Sequence, residues 1–526
     1  MDWMIATPPD TAVRSGPRPW WETRAFVAAM VVLSIVPLLY PPLPPLVDLF
    51  GHMLRYRVEL DGDSPPLSRY YEFKWVLAGN LGVDLLIYPL AKLIGLEPAA
   101  KLIVLTIPPM TVAGMLWVAR EVHYRLPPTV MFALPFAYGH HFLFGFVNYA
   151  LAMAFAFLAF GLWLRLGRLG KSKLRAAIFV PISILVWLTH AFGWGMLGLL
   201  CFAAEAVRQH DRGRGWIMSA PRAAFHCLSL SVPVLLMLLW REGAGGLTQD
   251  WFNWKGKGKW FEMALRDRWR NYDRTMVGIA GAVFLLAIVH PRLTLSRMLF
   301  FTMLVLGAAF VVLPRIIFGS AYADMRLVPF LIAVGLLAIR FKGPTPPRFG
   351  QWLAYGALAF LLVRTATVTA SLAIAANDQR EKLAALDRVP KGARVVTLVG
   401  ISCADRGWPL WRNAHLGGFV TIRRHGFSNN HWTVEGAKLL TVRYAPAGLF
   451  SNDPSQLVRD PRCRLNPTPV NIALAAVPRR AFDYLWLLDP PPFNPALLAG
   501  AEPVWRGNNR SALYRLHPAQ ANRPAP

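Results

Sequence analysis

Residues 352–376, WLAYGALAFLLVRTATVTASLAIAA, carry one charge, Arg364, and are followed at once by Asn377-Asp378-Gln379-Arg380-Glu381-Lys382. Roughly 25 nearly uncharged residues suffice for a helix to cross ~30 Å of hydrocarbon. The step from lipid-compatible to water-compatible sequence divides the chain. Upstream, residues 26–43, 102–118, 149–164 and 298–313 are further apolar blocks of membrane-span character. Downstream, Gly, Pro, Asn and charged residues rise to soluble levels, and short β-rich runs appear at 394–399, 482–488 and 512–516. Helical patterns cover 379–386 and 433–442. The expected fold is a polytopic α-helical membrane bundle of about 10 to 12 spans over residues 1–377, with a soluble α/β domain over 378–526.

Of the 526 residues 55% are hydrophobic and 16% charged, and the formal net charge is +27. That charge sits beside the ends of apolar runs: Arg165, Arg168, Lys171, Lys173 and Arg175 in one loop, Arg208, Arg212, Arg214 and Arg222 in the next, and Arg340, Lys342 and Arg348 in a third. Flanking basic loops orient spans, so membrane lipids account for the charge and nucleic acid is not expected as a partner. With these loops in the cytoplasm, the chain from about Gly139 threads consistently and ends with the terminal domain outside the membrane. The first apolar run follows Arg14, Arg18 and Arg24 and ends at Pro41, Pro42, Pro44 and Pro45 without a small-residue cleavage pattern. It reads as an uncleaved span with the amino terminus in the cytoplasm of an inner-membrane protein. Residues 75–94, with Asn80, Asp84, Pro89 and Lys92, are poor lipid-facing material and read as interfacial or as a broken, cavity-lining helix.

Two outside loops, 44–74 and 241–274, are long for a helical bundle. The second interleaves Trp251, Phe252, Trp254, Trp260, Phe261, Trp269 and Tyr272 with Lys255, Lys257, Lys259, Arg266, Arg268 and Arg270, the composition of an interfacial anchor or of a substrate-gripping loop. Cys201 and Cys227 lie in or beside apolar helices. Cys403 and Cys463 fall in the soluble region and are a disulfide candidate if that region lies in an oxidising compartment.

In the loop after the first span, Asp48, His52, Arg55 and Glu59 share one face of a helix, with Phe50, Met53 and Leu54 opposite. Such a segment could lie flat on the membrane with its polar face toward a cavity, or be an ordinary solvated surface helix. Arg326 beside Asp324 could supply a phosphate-binding fork or an ion pair that locks its loop. His140, His141 and His190 sit at external turns, where they could line a cavity or serve as hydrogen-bonded structural residues.

The arrangement of first span, long loop opening on an acidic residue, many spans and a terminal external domain resembles the GT-C superfamily of polyprenyl-phosphate-sugar-dependent membrane glycosyltransferases. Local patches carry the likeness: Asn80-Leu81-Gly82-Val83-Asp84-Leu85-Leu86, Gly145-Phe146-Val147-Asn148-Tyr149-Ala150-Leu151, Leu188-Thr189-His190-Ala191-Phe192-Gly193 and Asp324-Met325-Arg326-Leu327-Val328-Pro329. The resemblance implies inverting transfer of a sugar from a polyprenyl-phosphate donor to an acceptor hydroxyl on the external face. Asp48 matches the general base, and His52, Arg55, Asp84, His140, His141, His190, Asp324 and Arg326 are the candidate substrate-binding residues. No other cofactor is implied. Asp61-Gly62-Asp63 has the literal spacing of a DxD metal pair but lies in a Pro-flanked turn, so a divalent metal is left open.

Two other classes fit parts of the sequence. A transporter or flippase could use Asn80, Asp84 and His190 along a path, although the two halves show no internal repeat. A non-catalytic envelope-assembly protein could work through Trp408, Trp411, His415, His425, Asn430, His431 and Trp432, residues that equally suit packing of the terminal domain onto the spans.

Overall fold

Residues 18–239, 247–317, 319–343, 346–432 and 439–516 are described in the computed structural model of the chain. Among them, six helices are long and apolar enough to cross a membrane: Leu96–His123, Val147–Arg168, Ser172–Thr189, Ala191–Asp211, Arg270–Val289 and the helix that begins at Pro347. A bent pair, Trp216–His226 with Leu228–Leu238, is folded by 44° and makes a seventh if it is one span. Other apolar blocks form shorter helices, Arg24–Leu39, Arg297–Val312 and Ala323–Leu337. One continuous apolar core, including Phe157, Phe160, Trp163, Phe179 and Phe330, fills the bundle.

Residues 75–94 behave as their polar content requires. Their helix, Gly82–Ile94, has 13 residues with Pro89 inside. At 1.5 Å per residue it is about 20 Å long, short of the ~30 Å hydrocarbon layer. Its buried carboxylate, Asp84, is matched by Arg55 rather than left facing lipid.

The long helix Pro347–Leu383 carries the chain out of the bundle, and a short turn, Ala384–Arg388, leads into the terminal sheet. The expected helix at 379–386 is thus the tail of the last bundle helix. Strand Arg394–Gly400 is central, parallel to Tyr484–Leu488 on one side and to Leu457–Arg459 and Phe427–Ser428 on the other. Ala512–Arg515 and Glu502–Arg506 extend the sheet antiparallel, and Thr468–Pro469 ends its other edge. The sequence 433–442 does not run as the expected helix where it is described: Leu440–Val442 is a strand, because it pairs antiparallel with Tyr71–Phe73 of the first long loop. Residues 433–438 lie outside the described residues.

The terminal sheet rests on the loop helix Leu49–Asp61. Phe50, Met53 and Leu54 do not lie on lipid as the sequence suggested. They are buried against the terminal domain, with Phe50 5.0 Å from Phe419 ring to ring and Leu54 among Val396 and Leu398. Gly51 permits this approach, because a Cβ there would lie 2.4 Å from the Trp432 ring.

A buried ionic cluster locks the junction. Arg364, 1% exposed, donates to Asp273 at 2.7 Å and to the Leu265 carbonyl at 2.6 Å. Asp273 also accepts from Trp408 Nε1 at 2.9 Å and from the Asp267 backbone at 2.8 Å. Asp267 in turn accepts from Arg412 and from Ser371 Oγ, and Arg412 reaches the Pro45 carbonyl. The charge inside the decisive apolar run thereby ties two bundle helices to the terminal domain and the first loop. The loop 247–274 serves two purposes: Trp251, Phe252 and Trp254 are exposed, whereas Lys257 is buried and donates to the Phe310 and Leu313 carbonyls at 2.7 Å.

Removing one partner of a buried ion pair leaves the other charge uncompensated at a cost of about 3–5 kcal/mol. Asp273→Ala should therefore lower the melting temperature of the detergent-solubilised protein markedly, more than exposed Asp387→Ala, whose partner Arg424 is half-buried. Equal melting temperatures for the two variants would refute the pinning role.

Candidate functional site

Between the bundle, the loop helix and the terminal sheet lies a chamber of about 1750 Å³. Asp48, His52 and Arg55 enter it from the first loop, Tyr149, His190 and Arg326 from the bundle, and His415, Trp432, Asp453 and Gln456 from the terminal domain. Much of the remaining wall is apolar, with Phe192, Trp194, Met196, Leu199, Leu313 and Ile317 on the bundle side.

Asp48 stands just ahead of the loop helix, and its backbone N–H donates to the Phe144 carbonyl at 2.9 Å. Gly145 faces the same point with φ +98°, and a Cβ on it would lie 2.7 Å from the Asp48 nitrogen. The Phe144-Gly145 turn thus fixes the Asp48 main chain, and its glycine permits the close approach. Burial, and secondarily the charge of Asp453, raise the Asp48 carboxyl well above the ordinary carboxylate range, with Arg326 opposing them. His415 Nε2 lies 3.9 Å from the Asp48 carboxylate, and burial pushes this histidine down to about 4, so it stands beside Asp48 uncharged at neutral pH.

Arg326 is 7% exposed. It donates to the Ala321 carbonyl at 3.2 Å and Ser320 Oγ at 3.3 Å, lies 3.4 Å from His190 Nε2, and sits over the Phe146 ring at 4.2 Å. Its Nε has no partner, and among the described residues no carboxylate pairs with it. The ion pair with Asp324 that the sequence left open is not formed: Asp324 is turned to Lys257 at 3.4 Å.

The other candidates occupy different surroundings. Asp84 lies behind the chamber wall, bound to Arg55 at 2.6 Å and to Asn148 Nδ2 at 3.1 Å, while Asn148 also holds the Asn80 carbonyl and the Val83 N–H. His141 packs between Phe330 and Tyr149, at 4.6 and 5.6 Å, and His140 against Phe144, so neither lines the chamber. Of the terminal-domain cluster, Trp411, His415 and Trp432 line it, whereas Trp408 is spent on Asp273 and Asn430 on the Ala414 carbonyl. Asp453, Gln456 and Arg464 were not singled out in the sequence; an Asn-Asp-Pro-Ser turn is an ordinary loop until the fold brings it to Asp48. Cys403 and Cys463 are disulfide-bonded, holding the wall loop that carries Arg464 to the segment after the central strand. Among the described residues, no group of three or more His, Cys, Asp and Glu is placed to hold a metal ion.

Fold and chamber define a multi-span membrane protein whose terminal domain and first loop close one partly apolar, charged cavity over the bundle. No family model matches the chain, and no curated protein is similar to it. Among solved structures, the crystal structure of ArnT from Cupriavidus metallidurans bound to undecaprenyl phosphate is similar over 95% of this chain and 99% of that chain, at 10% identity and a TM-score of 0.46.

An alanine at Gly145 meets both an unfavourable positive φ and the Asp48 backbone. Such strain costs about 1–3 kcal/mol. Gly145→Ala should lower the melting temperature, and an unchanged value would show that the turn does not constrain Asp48.

Proposed function

We propose that this protein is a membrane glycosyltransferase of GT-C type that moves a sugar from a polyprenyl-phosphate donor to an acceptor hydroxyl on the external face of an inner membrane. The observation that carries the reading is the presence of Asp48 and Arg326 on one chamber with an apolar bundle-side wall. A buried guanidinium without a carboxylate partner is costly unless an anion joins it. A lipid phosphate supplies that anion, and its isoprenoid chain matches Phe192, Trp194, Met196, Leu199, Leu313 and Ile317. Arg55 is less suited to this role, since Asp84 already neutralises it.

In the transfer, the acceptor O–H bond breaks as the oxygen bonds to the sugar's anomeric carbon, and the proton passes to Asp48. The bond from that carbon to the phosphate oxygen breaks on the opposite face, inverting the centre and leaving the electron pair on the polyprenyl phosphate. Asp48 is the general base, and Arg326 steadies the negative charge of the leaving group. His52 and His190 shape the chamber, and the four candidates off its wall (Asp84, His140, His141 and Asp324) act as supports. The terminal domain, 378–526, lies outside the membrane in this reading, where the Cys403–Cys463 bond has the oxidising surroundings it needs.

Asp48→Asn should cut transfer by about 10²–10⁴-fold while leaving the melting temperature unchanged, and retained turnover removes the base assignment. Arg326→Ala should weaken binding of undecaprenyl phosphate, measured on the purified protein. Unchanged affinity would exclude Arg326 as the phosphate site.

The pH profile gives an independent check. A base works only when ionised, and the Asp48 carboxyl is raised, so activity should fall as pH drops through a midpoint above the ordinary value of about 3.9. A midpoint at or below that value would contradict Asp48 as the group responsible.

A further inference from the structure

The chamber holds a second set of recognition groups, contributed by the terminal domain and unused in the reaction above. The turn Asn452-Asp453-Pro454-Ser455-Gln456, ahead of strand Leu457–Arg459, forms part of the wall. It is fixed from behind: the Gln456 carbonyl accepts from Val399 N–H at 2.6 Å, and Asn429 Nδ2 bridges Ser455 Oγ at 3.2 Å and the Thr397 carbonyl at 3.0 Å. Gln456 is 1% exposed, and its side-chain amide acts on the neighbouring Asp453 carboxyl.

Asp453 is open to the chamber yet closely surrounded by protein, which pushes its carboxyl up to about 6 against the opposing pull of the Gln456 amide. It is near enough to Asp48 to be felt electrostatically there. Trp432 supplies an aromatic surface on the same chamber, clasped by His52 at 4.8 Å and His415 at 4.4 Å, and His415 is the neighbour of Asp48. Gly51 gives the ring its place on the loop helix.

A carboxylate accepts from a pair of neighbouring hydroxyls, and an aromatic face carries the apolar C–H face of a pyranose. These groups together recognise a carbohydrate. We propose that Trp432 and Asp453, the latter positioned by Gln456, form the acceptor subsite and that the acceptor is itself a sugar, held so that one of its hydroxyls reaches Asp48. This rests on the glycosyltransferase reading and deepens it: the bundle grips the donor's phosphate, and the terminal domain grips the acceptor. The general base stands where the two meet.

The test measures the two sides separately on the full-length protein in detergent. Saturation-transfer NMR is run with methyl glucoside, methyl galactoside and methyl mannoside as probes, and undecaprenyl phosphate affinity is measured in parallel. At least one glycoside should receive saturation from the unaltered protein. The effect should weaken by about ten-fold or more in Asp453→Ala and in Trp432→Ala, the loss expected when a hydrogen bond to a charged group or a stacking face is removed. Undecaprenyl phosphate affinity should stay within about two-fold in both variants, far below a ten-fold step of ~1.4 kcal/mol. Absence of saturation for all three glycosides, undiminished saturation in the variants, or parallel loss of lipid affinity would each overturn the subsite. Failure of the unaltered protein to bind undecaprenyl phosphate would instead strike the donor reading, and the glycoside result would still stand.

Discussion

The apolar face of the helix Leu49–Asp61 has to be covered, and the terminal domain covers it. Phe50, Met53, Leu54 and Val58 are each at most 1% exposed, and burial of side chains of this size contributes roughly 1.5–3 kcal/mol each. This packing fixes where the sheet sits, and with it the roof of the chamber. Because side chains on opposite sides of one helix are rigidly related, seating Phe50 and Leu54 under the sheet turns Asp48, His52 and Arg55 toward the chamber. The polar face reaches a cavity because protein, rather than lipid, takes the other face.

The buried charges fall into two kinds. Some are paired with opposite charges: at the junction Arg364, Asp273, Asp267 and Arg412 share hydrogen bonds among themselves and with backbone carbonyls, and within the bundle Arg175 and Arg208 converge on Glu205. Pairs of this kind hold segments in register, and a span tolerates them because each charge has a partner. Arg326 and Asp48, on the chamber, are not paired in this way. Arg326 has neutral acceptors and an aromatic ring but no carboxylate, and Asp48 has an uncharged histidine for company. In the proposed function, these two are the groups a ligand completes.

What could be read in the sequence follows the range of the interactions concerned. The spans were legible because hydropathy over some twenty residues is a local property, and the polar face of the loop helix because helical periodicity is local too. The central strands at 394–400 and 484–488 announced themselves as short β-rich runs. The partner of Asp324 was not legible, since Lys257 arrives from a loop whose basic residues looked interchangeable. The strand Leu440–Val442 was missed for the same reason, being defined by Tyr71–Phe73 far upstream. Asp453 and Gln456 lie in a turn with nothing to distinguish it in isolation, and their relation to Asp48 exists only after the sheet has docked.

Docking also bears on how Asp48 and Arg326 can face one chamber without closing on each other. A carboxylate and a guanidinium attract each other, and free side chains would close into a pair. Here each is held by contacts other than the opposite charge. Asp48 is anchored through its N–H to Phe144 and hemmed in by Gly145, while Arg326 is tethered to Ala321 and Ser320 and laid over Phe146. Phe144, Gly145 and Phe146 are consecutive, so one segment holds Asp48 by the main chain and meets Arg326 with a ring, while Ser320 and Ala321 complete the hold on Arg326. The consequence is a gap between the two side chains, which in the proposed function a substrate, rather than the opposite charge, fills.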